Sequence, residues 1–201
     1  MGRLGIYGPG LVYDGMHEIR VGGKEGEMDV FEAIETRRSV RAYKQEQINK
    51  EDLERIIGAA QLAPIAGADY TMSHITVVQD TGLLDEIREA CMLHRKDGTP
   101  VDPLYGVPTL IVLSTTGPSD DCIEYSNVAC AIENMSLAAT ALGLGSVYLW
   151  GFLKKLRKHP ELIAQLGLPE GYAPLSCLGV GYAVEQPTRR APADNIAVNY
   201  L

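Results

Sequence analysis

The stretch Arg37-Arg38-Ser39-Val40-Arg41 sets three guanidinium groups and a hydroxyl within five residues. It follows a short amphipathic run, Asp29 to Thr36, whose apolar side chains Val30, Phe31 and Ile34 fall at helical spacing. That spacing predicts a short helix with one buried face. Guanidinium groups clustered at the end of a helix cannot be buried unpaired, because desolvating a lone charge costs too much. They need an anion. Arginine offers a rigid fork of donors that fits a phosphate, and the serine adds a hydroxyl donor. On residue chemistry alone two readings stand. One is a pocket for the phosphate of a nucleotide-like cofactor. The other is a solvated basic patch, or ion pairs with the chain's many acids.

Composition narrows the classes around this stretch. The chain has 201 residues, of which 46% are hydrophobic, so one sizeable core is available. A net charge of -8 and a pI of about 5.0 oppose a nucleic-acid role, which needs a basic face. No apolar run approaches the roughly 18 residues of a membrane span. Gly8, Pro9, Gly10, Asp14 and Gly15 interrupt any signal-peptide core, so the expected location is the cytoplasm. Cysteines 91, 122, 130 and 177 form no Cys-x-x-Cys pair. No metal site is expected, and the thiols read as reduced and mostly buried.

Upstream of the arginines, residues 1–27 are rich in glycine yet carry Leu4, Ile6, Tyr7, Leu11, Val12 and Tyr13. They read either as a disordered tail or as an ordered arm lying along a partner subunit, with the apolar residues favouring the arm, and in both cases as separate from a domain at 28–201. Downstream, Asn49 with Asp52 marks a helix start, and Leu53, Ile56, Ile57 and Ala60 continue it until Pro64 stops it. Pro64-Ile65-Ala66-Gly67-Ala68 is a small-residue loop that lets backbone approach a flat ligand, although an ordinary loop has the same composition.

Ile75 to Val78 is a β-branched strand, and Thr81 to His94 reads as a helix with Leu83, Leu84, Ile87 and Cys91 on one face. Lys96 to Pro108 reads as a loop. The continuous apolar run Thr109 to Ser114 suits a strand buried on both faces. Residues 120–143 form a long, slim, alanine-rich helix suited to a core or a subunit interface, and Gly143 fits a left-handed stop. Val147 to Leu149 begins a strand, followed by Trp150-Gly151-Phe152. Lys154 to Leu166 reads as a helix, and Leu175 to Ala183 as a strand in which Gly179 and Gly181 permit close packing. Arg190 is a second candidate anion ligand. Helices mixed with four or five strands make the chain α+β.

From about Met28 onward the sequence resembles the nitroreductase family of flavin enzymes. The resemblance rests on several features in order. They are Arg37-Arg38-Ser39-Val40-Arg41 after an opening helix, Ala63-Pro64 with its small-residue loop, Glu133-Asn134-Met135 leading into Gly143-Leu144-Gly145-Ser146, Gly151-Phe152, Leu168-Pro169-x-Gly171, and Arg190-x-Pro192. It implies a mainly antiparallel central sheet flanked by helices, in an intertwined homodimer with FMN at the subunit interface. By position, Arg37, Arg38, Ser39 and Arg41 hold the phosphate and ribityl chain, with Arg190 reaching the same phosphate. Pro64, Ile65, Ala66, Gly67 and Ala68 lie beside the flavin from the partner subunit. Leu149, Trp150 and Gly151 line its ring. NADH or NADPH serves as electron donor, and a nitro, quinone or ene compound as acceptor, by ping-pong hydride transfer. The flavin carries the chemistry, so no catalytic side chain is named.

The loop departs from many nitroreductases. Ala68, Tyr70, Thr71 and Met72 stand where an Asn and a Gln-Pro-Trp are common, and Ala66-Gly67-Ala68-x-Tyr70 is closer to the dehydrogenases of thiazole/oxazole-modified peptides. An azoline dehydrogenase, and a flavin-sequestering protein without turnover, are therefore the alternatives.

Overall fold

A computed structural model describes residues 28–117, 119–193 and 196–201. The expected N-terminal arm, residues 1–27, lies outside the described residues. The chain order is α1 (Val30–Thr36), α2 (Lys50–Gln61), β1 (Ser73–Val78), α3 (Thr81–Ala90), β2 (Leu93–His94), β3 (Pro100–Val101), β4 (Thr109–Thr116), α4 (Ile123–Ala141), β5 (Gly145–Leu149), α5 (Leu153–Leu156), α6 (Pro160–Gln165) and β6 (Tyr172–Gly181). Four strands form one sheet in the order β1-β4-β6-β5, with every neighbouring pair antiparallel. The fold is α+β, as the pattern predicts.

Strand β4 shows why the sheet is covered on both faces. Its Ile111 and Leu113 pack with Ile56 and Ala60 of α2 and with Val128, Ile132, Met135 and Ala139 of α4. The intervening Leu110 and Val112 pack on the opposite side with Leu84 and Ile87 of α3 and Leu153 and Leu156 of α5. Alternation in one strand thus feeds two cores, and the continuous apolar run at 109–114 is what this requires. Helix α2 starts as expected: the Asn49 side-chain Oδ1 accepts the Asp52 N–H at 2.8 Å. Helix α1 carries a capping box between Asp29 and Glu32. Gly143, at φ +74°, ends α4 in the left-handed conformation.

Four expectations are corrected. The face Val30, Phe31 and Ile34 of α1 is exposed in the single chain, with Phe31 at 71%, and only Ala33 is buried. The helix expected to run to His94 ends at Ala90, because Leu93–His94 turns into a two-residue ladder with Pro100–Val101. The helix expected over 154–166 is two helices. Pro160 lacks an N–H to continue α5 and instead opens α6 at its first position. Finally, only Cys91 and Cys177 are buried, whereas Cys122 and Cys130 are exposed on α4's start and outer side. Among the described residues, no helix is long and apolar enough to cross a membrane.

Candidate functional site

After α1 the chain straightens, and the arginine stretch runs along the free side of β5. The Val40 N–H donates to the Ser146 carbonyl at 2.9 Å, and Ser39 forms a parallel bridge with Ser146. Gly145 makes this approach possible, since a Cβ there would sit 2.9 Å and 3.0 Å from the two Val40 methyls. The chain that leaves β6 then runs back alongside in the opposite direction. Lys44 N–H donates to the Tyr182 carbonyl at 2.9 Å, Val184 N–H to Ala42 at 3.1 Å, and Arg190 N–H to Glu35 at 3.2 Å. Two segments some 140 residues apart in sequence therefore form one ribbon.

This ribbon holds a cleft of about 530 Å³ between Arg38, Arg41 and Ala42 on one side and Val184, Gln186 and Thr188 on the other. Arg38 frames it. Its Nη1 donates to the Glu35 carbonyl at 2.7 Å and the Arg37 carbonyl at 3.0 Å, while its Nη2 donates to Thr188 at 2.7 Å. The side chain so satisfies carbonyls left over at the end of α1 and ties the returning segment down. Desolvation, then the nearby Arg190 and Arg37 charges, hold the Arg38 guanidinium below its ordinary pKa. An anion seated here relieves that repulsion, so the donor set fits a phosphate. Arg189 serves a different purpose. It bonds Glu35 at 2.8 Å and Glu32 at 2.9 Å, and these acids raise its pKa, Glu35 foremost.

The predicted residues divide into groups. Arg38 and Arg41 line the cleft, and Arg190 lies close enough for its charge to act on Arg38. Arg37 turns away, with its Nε 3.3 Å from Glu133 of α4. Ser39 is an exposed edge residue whose carbonyl accepts from Arg41 at 3.3 Å. Leu149 buries its side chain in the core, so only its backbone can face a ligand, whereas Trp150 is 58% exposed and Gly151 is exposed.

Pro64 to Ala68 lies elsewhere. Gly67 and Ala68 adopt φ +66° and +54°, and the Ala66 N–H donates to Asn127 of α4 at 3.1 Å. This loop borders a second cavity of about 380 Å³, walled by Ile57, Ile65, Tyr70, His74 and Val128. The ribbon touches α4 at Glu133, through Arg37, and again just past the helix end, where Gln186 donates to the Gly143 carbonyl. Within one chain the loop's cavity and the arginine cleft share no lining residue.

The sequence profile of the nitroreductase family matches residues 34–182. The chain belongs to the nitroreductase family. It is 32% identical over 175 residues to a protein of Methanothermobacter thermautotrophicus provisionally named NADH dehydrogenase/NAD(P)H nitroreductase, covering 86% of each chain. It is 26% identical to the FMN reductase [NAD(P)H] of Bacillus subtilis, over 86% of this chain and 73% of that one. Among solved structures, a nitroreductase with bound FMN from Bacteroides fragilis superposes with a TM-score of 0.71 at 32% identity. That match covers 86% of this chain and 99% of the other.

In this nitroreductase, some residues that build the site carry no local signal in the sequence. Glu133 receives Arg37, and Asn134 Nδ2 donates to the Ala59 carbonyl at 3.1 Å, bolting α2 to α4. Thr188 and Gln186 act through contacts separated by 150 and 43 residues. Only the family motif Glu133-Asn134-Met135 points to any of them.

Proposed function

We propose that this protein is an FMN-dependent NAD(P)H oxidoreductase that works as a homodimer and passes electrons to a nitro, quinone or ene acceptor. One observation supports the reading: Arg38 and Arg41 line a cleft between the ribbon's two strands, and Arg190 lies near enough for its charge to act on Arg38. The family membership and the FMN named for the Bacteroides relative support it.

In this reading Arg41 and Arg190 contact the phosphate, and Arg38 keeps the cleft open by holding Thr188. The exposed Trp150 and the backbone of Leu149 and Gly151 flank the ring, and the partner's copy of the Pro64–Ala68 loop covers its other side. When bound, FMN supplies hydride acceptance from the nicotinamide and onward electron transfer. The chain's own contribution is position and charge: cations fix the phosphate, and the exposed small-residue backbone leaves a flat surface open for a ring. In this reading the partner subunit supplies the loop, because the arginine cleft and the loop's cavity share no lining residue within one chain.

The test is an absorbance spectrum of purified protein, before and after NADH or NADPH under anaerobic conditions. Flavin bands that bleach on addition of the nicotinamide are expected. Bands that persist support flavin sequestration, and a colourless protein that takes up no added FMN overturns the reading.

A further inference from the structure

Arg41 is exposed, and no carboxylate among the described residues lies within ion-pair range of it. Its guanidinium carbon lies over the ring of Tyr105, 5.6 Å from the centroid. Tyr105 reaches this place by an unusual route. Its φ is +54°, a left-handed conformation that bulky side chains seldom adopt. The turn is held in that shape from several sides. Asp102 accepts the Leu104 N–H at 2.8 Å with one carboxylate oxygen and the Gly106 N–H at 2.7 Å with the other. Arg88 of α3 places its Nε 3.0 Å from the same carboxylate, and Leu104 and Val107 on either side are buried. Gln45, four residues past Arg41, donates to the Gly106 carbonyl at 3.2 Å. The turn therefore grips the arginine stretch at two points.

We propose that Tyr105 is a positioning residue for Arg41: the ring face holds the guanidinium at the cleft, and the Asp102–Gly106 turn keeps the ring there. This rests on the reading of the cleft as a phosphate site. An unsupported arginine samples many rotamers and loses that freedom on binding an anion. A guanidinium already resting on an aromatic face loses less. The ring touches no ligand itself in this scheme. A residue that merely filled space would show none of the charge dependence that follows.

The experiment is titration of apo-protein with FMN, followed by flavin fluorescence, alongside thermal melts. Tyr105→Leu should raise the Kd about two- to fivefold, the range of an exposed cation–π contact. Tyr105→Phe keeps the ring face and should leave the Kd unchanged. In an Arg41→Ala background, Tyr105→Leu should add nothing. An equal loss in that background, or a Tyr105→Phe loss as large as that of Tyr105→Leu, overturns the proposal. If Tyr105→Leu fails to fold, progressively fluorinated phenylalanines at position 105 weaken the ring's negative face without changing its shape. A Kd that does not rise along that series overturns the proposal too. If Arg41→Ala itself leaves FMN affinity unchanged, the phosphate reading of the cleft falls, a result distinct from failure of the ring alone.

Discussion

Replacing Gly145 by alanine tests whether the arginine stretch owes its position to one missing side chain. The new Cβ would stand 2.9 Å and 3.0 Å from the Val40 methyls and 3.1 Å from the Ala183 Cβ. Ordinary carbon contacts lie near 3.5 Å or beyond, so the shortfall is about 0.5 Å. Val40 is β-branched and stiff about χ1, so its backbone must give way rather than its rotamer. Overpacking of this kind costs about 1–3 kcal/mol, and removing a strand glycine returns about 0.5–1. The net of about 0.5–2 kcal/mol corresponds to a melting temperature lower by about 1–8 °C. Arg41 sits one residue from Val40. Losing half of one charge-assisted contact, about 0.8–1.5 kcal/mol, raises the Kd for FMN about 4- to 12-fold. The assay is a thermal melt plus FMN titration of Gly145→Ala, Val40→Ala and the double variant. Shortening Val40 removes both clashing methyls, so the double variant should recover most of the FMN affinity. A Gly145→Ala protein that melts early yet binds FMN normally refutes the link between this glycine and the arginine placement.

Arg41→Ala should weaken FMN binding by about 1.5–3 kcal/mol, measured by the same titration. The chain should scatter light as a dimer at low micromolar concentration, because Ala129, Cys130 and Ala141 of α4 and Phe31 of α1 are exposed in the single chain; a monomer contradicts assembly of the flavin site from two subunits. Timed thiol labelling should find Cys122 fast and Cys130 slowed by that dimer, with Cys91 and Cys177 unreactive, since burial raises both thiol pKa values. Glu124, buried near the start of α4, has its pKa lowered by its own backbone N–H and by Ser119, against the opposing effect of burial. A lowered carboxyl stabilises the fold at neutral pH, and that contribution is lost as pH falls from the ordinary carboxyl value through the lowered one. Glu124→Gln should therefore melt lower at neutral pH and show a shallower acid limb; an unchanged limb sinks the assignment.

The double-sided sheet was legible because β4 announces it locally: Thr109 to Ser114 has no polar side chain until its ends. The caps at Asn49 and Gly143 were legible for the same reason, since each acts within a few residues. The break at His159 is masked in the sequence although Pro160 signals it, because the helical spacing of Leu156, Ile163 and Leu166 runs across the gap. Exposure of Phe31 was not legible, because helical spacing marks a face to be covered without saying which chain covers it. The arginines were recognised as a group, but their individual duties were not. Arg38 is spent on carbonyls, Arg37 on Glu133 and Arg189 on two acids, and each of these partners is fixed only by the tertiary fold.

The ribbon along β5 has a consequence for solubility. A sheet edge is a template for other chains unless something blocks it. Here the segment that carries the candidate phosphate ligands also shields the β5 edge, through the Val40 N–H and the Ser39 bridge. At the other margin, no described strand pairs with the outer side of β1. A substitution that loosens the arginine segment therefore uncovers the β5 margin of the sheet. Such variants should aggregate more readily than the parent chain, so part of each is lost from the soluble fraction. A mutational screen scored on soluble flavoprotein will then overstate how many of these residues touch the flavin.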